Sequence, residues 1–311
     1  MDDRSTRSER RISAVIPTFN RAGLVERAID STLGQDHPPD EVIVVDDGSS
    51  DDTADRLVDY HPKVRYVHQE NAGDAVARNT GVAAATSEWI AFLDSDDCWT
   101  GDHLGRMHAA LEATEGRADF YFSDTQLAPY DGGDATRVWD DAEFSIETAH
   151  QLADDATAWA LLRIQPMMLQ SSMFNRAAFL GSGGLLPRVP PRADTHLFYA
   201  MSLGRPACAV AGIGAVMTAD DPSTRLTAQF SEKSTRYWTS SIRMYRDLLQ
   251  RDLDLSTDTI DFFRSAEAVA HWRLARLAWS ARDLRGCTRH LGSSARLDPR
   301  EFASRFVGRV R

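Results

Sequence analysis

The chain has 311 residues, 42% of them apolar and 26% charged, with a formal net charge of −11. That size allows one large or two small domains with a substantial core. The acidic balance excludes a broad phosphate-tracking surface, so nucleic acid is not expected as a partner. Residues 1–10 read as a flexible arm. Arg11 to Ile16 is a short strand that ends on Pro17-Thr18-Phe19-Asn20. From Gly23 the spacing predicts a helix with Leu24, Val25, Ala28, Ile29 and Leu33 on one face. Glu41 to Val45 is a second buried strand, running into Asp46-Asp47-Gly48-Ser49-Ser50-Asp51, which suits a tight turn before a helix near Thr53. Val64 to Val67 is a third strand, followed by a small-residue helix over 75–85.

Trp89-Ile90-Ala91-Phe92-Leu93 is apolar without interruption, as in a strand covered on both faces. It stops on Asp94-Ser95-Asp96-Asp97. Carboxylates this close repel one another and call for a cation or hydrogen-bond donors; the alternative is a solvated acidic turn. A helix carrying Leu104, Met107 and Leu111 and a strand over 119–122 follow. The alternation predicts an α/β fold with a mostly parallel, Rossmann-like sheet and helices on both faces. The loops after its first, second and fourth strands then share one edge, where such sheets bind ligands.

Past residue 126 the pattern weakens. Gly132-Gly133 suggests exposed loop, Met167 to Phe174 a strand, and Gly181-Ser182-Gly183-Gly184 a turn. Asp194 to Met201 reads as a helix with Asp194 at or near its N-cap, and Cys208 to Met217 as a strand. From about Ser231 the chain is helical, ending in a helix pair over 271–299 with Arg285-Gly286 after its first helix. No apolar run nears the roughly 20 residues of a membrane span, and the polar opening carries no apolar leader segment. Cys98, Cys208 and Cys287 lie far apart without disulfide or metal-ligand spacing, which predicts a cytoplasmic setting.

Four motifs occur in order: Val15-Ile16-Pro17-Thr18-Phe19-Asn20-Arg21, Val44-Val45-Asp46-Asp47-Gly48-Ser49, Ala77-Arg78-Asn79-Thr80-Gly81 and Leu93-Asp94-Ser95-Asp96-Asp97. In sequence and spacing the chain resembles family 2 glycosyltransferases of the GT-A fold, strongly over 11–125 and more weakly over 126–225. The resemblance implies a nucleotide-sugar-binding half at 11–125, an acceptor-binding half at 126–228 and a helical region at 229–311. It implies transfer of a sugar from a nucleotide-sugar, UDP or dTDP, to an acceptor hydroxyl; the sequence does not name the acceptor, and a small molecule, glycan or peptide fits as well as a lipid-linked one.

By that resemblance Pro17, Thr18, Phe19 and Asn20 line the base, with the Phe19 ring against it; a flat apolar face suits stacking. Asp46 and Asp47 accept hydrogen bonds from base or ribose. Asp94-Ser95-Asp96 matches the DXD motif, with Asp96 the direct ligand of Mg²⁺ or Mn²⁺, hard cations that favour oxygen, and Asp94 on ribose or metal-bound water. Asp97 is expected behind the site or as a cap, and Arg78 beside the acidic cluster. The family's Glu-Asp pair maps to Ala193-Asp194: the Asp survives as general base for an inverting displacement, the Glu does not. His196 is a spare candidate base. Asp220 lies near the place of a histidine metal ligand found in some members, though Asp220-Asp221 reads more simply as loop.

The C-terminal helix pair resembles a tetratricopeptide-like hairpin. Such a unit cannot bury its own face, so it serves as core, or as a surface for a homodimer or acceptor peptide. Two other functions fit such a chain, an inactive sugar-nucleotide or glycan binder and a nucleotide-sugar pyrophosphorylase. The latter lacks its glycine-rich basic loop here. No G-x-G-x-x-G or P-loop motif is present, which argues against a dehydrogenase or P-loop enzyme.

Overall fold

The computed structural model describes residues 10–128, 134–218 and 234–307. Within them the chain divides into two units, one of residues 10–187 and 197–218, the other of 188–196 and 234–307. The expected flexible arm, except Arg10, and the Gly132-Gly133 loop lie outside the described residues.

The first unit is built on one sheet. Its strands are β1 (Ile12–Thr18), β2 (Glu41–Asp46), β3 (Arg65–His68), β4 (Trp89–Phe92), β5 (Asp97–Trp99), β6 (Phe120–Leu127), β7 (Thr136–Arg137), β8 (His150–Ala153), β9 (Ser172–Asn175) and β10 (Ala207–Met217). The main path runs β3-β2-β1-β4-β9-β6-β10-β5. The two longest registers, β6 with β10 and β1 with β2, are parallel, as are β1 with β4 and β2 with β3. β1 and β4 are buried along their whole length, Ser13 and Thr18 of β1 included, as strands covered on both faces must be.

Three short strands, β5, β7 and β8, escape the sequence pattern, and the strand expected over Met167 to Phe174 is realised only at its end, as β9. β9 inserts between β4 and β6, antiparallel to both. β5 pairs antiparallel with the end of β10, Cys98 opposite Val216. β5, β7 and β8 are too short for their own periodicity to declare them, and each exists because a neighbouring strand edge needs a partner.

The helix Asp74–Ala84 lies so close to the sheet that a Cβ on Gly81 would meet Val15 Cγ1 at 2.3 Å. Only glycine allows that approach. Phe92, Phe120, Phe174, Phe179 and Phe198 fill the core with ring centroids 5.6–6.0 Å apart, the offset and edge contacts aromatic rings favour.

The second unit is helical: Thr235–Gln250, Thr257–Ser280, Leu284–Leu297 and Pro299–Val307. Ser234, Ser256 and Asp283 cap the first three, accepting from the amides of Tyr237, Thr259 and Gly286. Gly286 therefore sits in the first turn of the hairpin's second helix rather than between the helices. Trp238, Ile242, Ala270 and Leu274 form this unit's core, and Ser294 Oγ donates to the Ala268 carbonyl at 2.9 Å across the hairpin. The final helix was not foreseen. No helix among the described residues is long and apolar enough to cross a membrane.

Candidate active site

The loops that leave β1, β2, β3 and β4 are tied together at one sheet edge. Pro17 and Thr18 close β1 and are buried. Phe19 stands beyond them, 45% exposed; an aromatic ring left out of the core beside polar groups is available to a flat ligand. Asn20 has φ 51°, a conformation asparagine tolerates better than most residues. It joins loops one and two: its amide donates to Ser49 Oγ at 2.8 Å, and its side-chain oxygen accepts from Ser50 N at 2.8 Å.

Asp46 and Asp47 are buried and build the edge from inside. Asp46 accepts from Ser49 N at 2.8 Å and from the Tyr66 hydroxyl at 2.7 Å. Burial, and then Asp46 itself, raises the Tyr66 pKa, so the phenol stays a donor. Asp47 accepts from Gln69 Nε2 at 2.6 Å and from the amides of Ala72 and Gly73 at 2.9 and 2.8 Å. At the helix that follows, Thr53–Leu57, Asp51 accepts from Thr53 N at 3.1 Å, while Asp52 at the N-cap position makes no capping bond through its side chain. Gly48 has φ 82°, and a Cβ there would meet Asn71 N at 2.9 Å, so the turn requires glycine twice over.

The acidic loop after β4 gathers Asp94, Asp96 and Asp97, each offering an oxygen within 4.8 Å of the others. Asp97, expected in a supporting or capping position, is a member of this cluster, because β5 starts on it and turns it back beside Asp96. Ser95 between them is buried.

Two arginines face these acids. Arg78 donates to Asp94 and, at 2.8 Å, to Asp74. Its burial opposes the charge, but Asp94 and Asp74 outweigh that and raise its pKa. Arg21 Nη1 lies 2.7 Å from Asp96 Oδ1. Sequence reasoning missed Arg21 as a site residue, although it follows Phe19-Asn20 directly. The Thr218 hydroxyl donates to the Asp96 carbonyl. Thr18 Oγ1 and Arg78 Nε are buried without a hydrogen-bond partner among the described residues. Three hard oxygen donors suit a divalent cation, and two orphaned polar atoms beside them suit a polar ligand.

Asp194 belongs to the second unit. The helix there is Ala193–Ser202, so Asp194 is its second residue rather than the N-cap. It accepts from Thr195 N at 2.6 Å. His196 is fully buried, its Nε2 2.8 Å from Asp247 Oδ2, and burial pushes its pKa down. A buried, bonded ring does not serve as a spare base, so that expectation is corrected. Asp247 also takes Arg188 and Arg251. Its own burial opposes ionisation, but Arg251 and His196 hold its pKa at about 2. Asp220 and Asp221 lie outside the described residues.

A doubly covered sheet with an acidic loop at the end of its fourth strand defines a GT-A fold. A family profile, "Glycosyl transferase family 2", matches residues 13–155, and the chain carries a domain of that family. ExoW of Rhizobium meliloti, a succinoglycan biosynthesis protein, is 34% identical over 174 residues, 53% of this chain and 52% of ExoW. An uncharacterized glycosyltransferase of Nostoc is 39% identical over 109 residues, 34% of each chain. The chain thus spans about half or less of the length of these relatives. Among solved structures, S. aureus TarS residues 1–349 in complex with UDP-GlcNAc superposes with a TM-score of 0.68, covering 94% of this chain and 83% of that one at 17% identity. Mannosyltransferase PcManGT from Pyrobaculum calidifontis, in complex with GDP-Man and Mn²⁺, gives 0.58 over 97% and 80% at 21% identity.

Proposed function

We propose that this chain is a metal-dependent, inverting glycosyltransferase that moves a sugar from a UDP- or dTDP-sugar to an acceptor hydroxyl. The observation that carries this reading is the joining of the β1, β2 and β4 loops around three clustered carboxylates and an exposed phenylalanine. The UDP-GlcNAc and Mn²⁺ complexes of the structural neighbours support the donor class and the cation.

In this reading Phe19 stacks on the base, and Thr18 and Asn20 edge it. Asp47 spends three acceptor positions on the loop after β3 and keeps about one for base or ribose; Asp46 holds the turn beneath. Asp96, with Asp94 and Asp97, would hold Mg²⁺ or Mn²⁺, which would supply positive charge for the diphosphate leaving group. Arg78 and Arg21 fix those carboxylates and add cationic charge for the phosphates. Asp194 takes the proton of the acceptor hydroxyl as its oxygen bonds to the anomeric carbon. The bond from that carbon to the diphosphate oxygen breaks, its electron pair stays on the phosphate, and the configuration inverts.

A thermal-shift screen of nucleotide-sugars with and without Mn²⁺, followed by mass spectrometry of turnover, tests this. A large shift for one donor only with metal, and a product heavier by one sugar, is expected. The same shift without metal rejects the Asp96 role. Ala193, standing where the family has Glu, favours a second reading: a sugar-nucleotide or glycan binder without transfer. Donor binding with no turnover on any acceptor would select it.

A further inference from the structure

Residues 268–297 contain six arginines against one acid, Asp283, in a chain of net charge −11. The helix Leu284–Leu297 contains no acid at all. Its buried residues are Gly286, Cys287 and Ser294. Arg285, Arg289 and Arg296 fall at i, i+4 and i+11 and are all exposed, so they form one stripe along the helix. Exposed Arg276 and Arg282 flank the hairpin turn. None of these five forms an ion pair among the described residues, unlike Arg246, which closes on Glu267 at 2.7 Å. Asp283, the one acid, spends a carboxylate oxygen on the Gly286 amide.

The tip of the same hairpin is apolar. Trp279 is 66% exposed and Leu284 62%, the first a residue before the end of its helix and the second at the start of the next. Two large apolar side chains beside unpaired cations describe a specific partner. A soluble polyanion would use the arginines and leave Trp279 and Leu284 in water. A folded protein partner would ask for a wider apolar patch than two side chains. A bilayer rich in anionic lipid uses both: tryptophan settles at headgroup depth, leucine reaches the acyl boundary, and arginines meet the phosphates.

We propose that the hairpin tip and the Arg285–Arg289–Arg296 stripe are a reversible docking surface for an anionic membrane. The surface lies within the second unit and does not depend on the transfer reaction proposed above.

The full chain is sedimented with vesicles of phosphatidylcholine alone, or with about 30% phosphatidylglycerol, at about 0.1 M and about 0.5 M salt. Binding at least about tenfold stronger to the anionic vesicles at low salt is expected, falling at high salt. Each arginine contributes roughly fivefold, so Arg285→Gln with Arg289→Gln and Arg296→Gln should reduce binding to the level seen on phosphatidylcholine. Trp279→Ser with Leu284→Ser should weaken it several-fold while leaving the salt dependence in place. All five side chains are exposed, so an unchanged melting temperature confirms folding. Equal binding to both vesicle types, or no effect of the serine pair, overturns the proposal. Binding to soluble polyphosphate that matches vesicle binding and ignores the serine pair would also overturn it.

Discussion

In the first unit Arg21 and Arg78 close on Asp96 and Asp94 with only 18% and 8% of their side chains exposed. In the second, Arg285, Arg289 and Arg296 stand in solvent with no acid on their helix. The same residue type thus does two kinds of work. Paired and buried, a guanidinium holds a carboxylate in one place, and removing it strands a buried charge. Exposed and unpaired, it adds little to stability and keeps its charge for a partner. Polar groups serve both units, in different patterns. The sheet edge is wired by a web of hydrogen bonds around Asp46, Asp47 and Asn20, whereas the C-terminal hairpin is crossed by separate contacts, Ser294 to the Ala268 carbonyl and His271 to His290.

Variants sharpen this contrast. The largest expected effect is on chemistry: Asp194→Asn should lower turnover by roughly 10²–10⁴-fold while donor affinity stays within about twofold. Steady-state kinetics with a fixed donor would show it, and an unimpaired variant moves the base elsewhere. Next comes acid stability. His103 in the first unit is fully buried, and burial pushes its pKa down to about 3. Its folded pKa lies below the unfolded value near 6.5, so the unfolded chain binds the proton first as pH falls. Stability should drop by about 1.4 kcal/mol per pH unit between about pH 6.5 and about pH 3. Unfolding free energies from urea titrations at about pH 7 and about pH 5 should differ by roughly 2 kcal/mol on account of His103, and His103→Gln should remove that share of the slope. An identical slope in the variant would assign the loss to other groups. Smallest is Phe19→Ala, which should weaken donor binding by about tenfold, as expected for one lost stack. Because the ring is exposed, the melting temperature should stay put; a fall would mean Phe19 is packing rather than contact.

Much of the first unit was legible because its signals are local. The apolar runs at 12–16, 42–45 and 89–93 announce doubly covered strands, and the acids that end two of them mark the edge. β5, β7 and β8 were not legible: Asp97–Trp99, Thr136–Arg137 and His150–Ala153 become strands only through pairing with β10 and β6, whereas the apolar run ending at Phe174 announced β9 but not its start. The same non-local cause hid Arg21, whose partner Asp96 is distant in sequence, and placed Asp97 in the cluster rather than behind it. His196 misled for another reason, since a helical histidine gives no sequence sign of the carboxylate, here Asp247, that claims it. In the second unit helix spacing was readable, but whole-chain charge concealed a basic helix inside an acidic protein.

The proposed function rests on Asp96 coupling a cation to a nucleotide at the edge of this sheet. Calorimetric titration of UDP with and without Mn²⁺, on the native chain and on Asp96→Asn, tests it directly. In the native chain Mn²⁺ should strengthen UDP binding by about tenfold or more, and the variant should lose that coupling while remaining folded. UDP affinity that ignores Mn²⁺, or coupling that survives in Asp96→Asn, would contradict it.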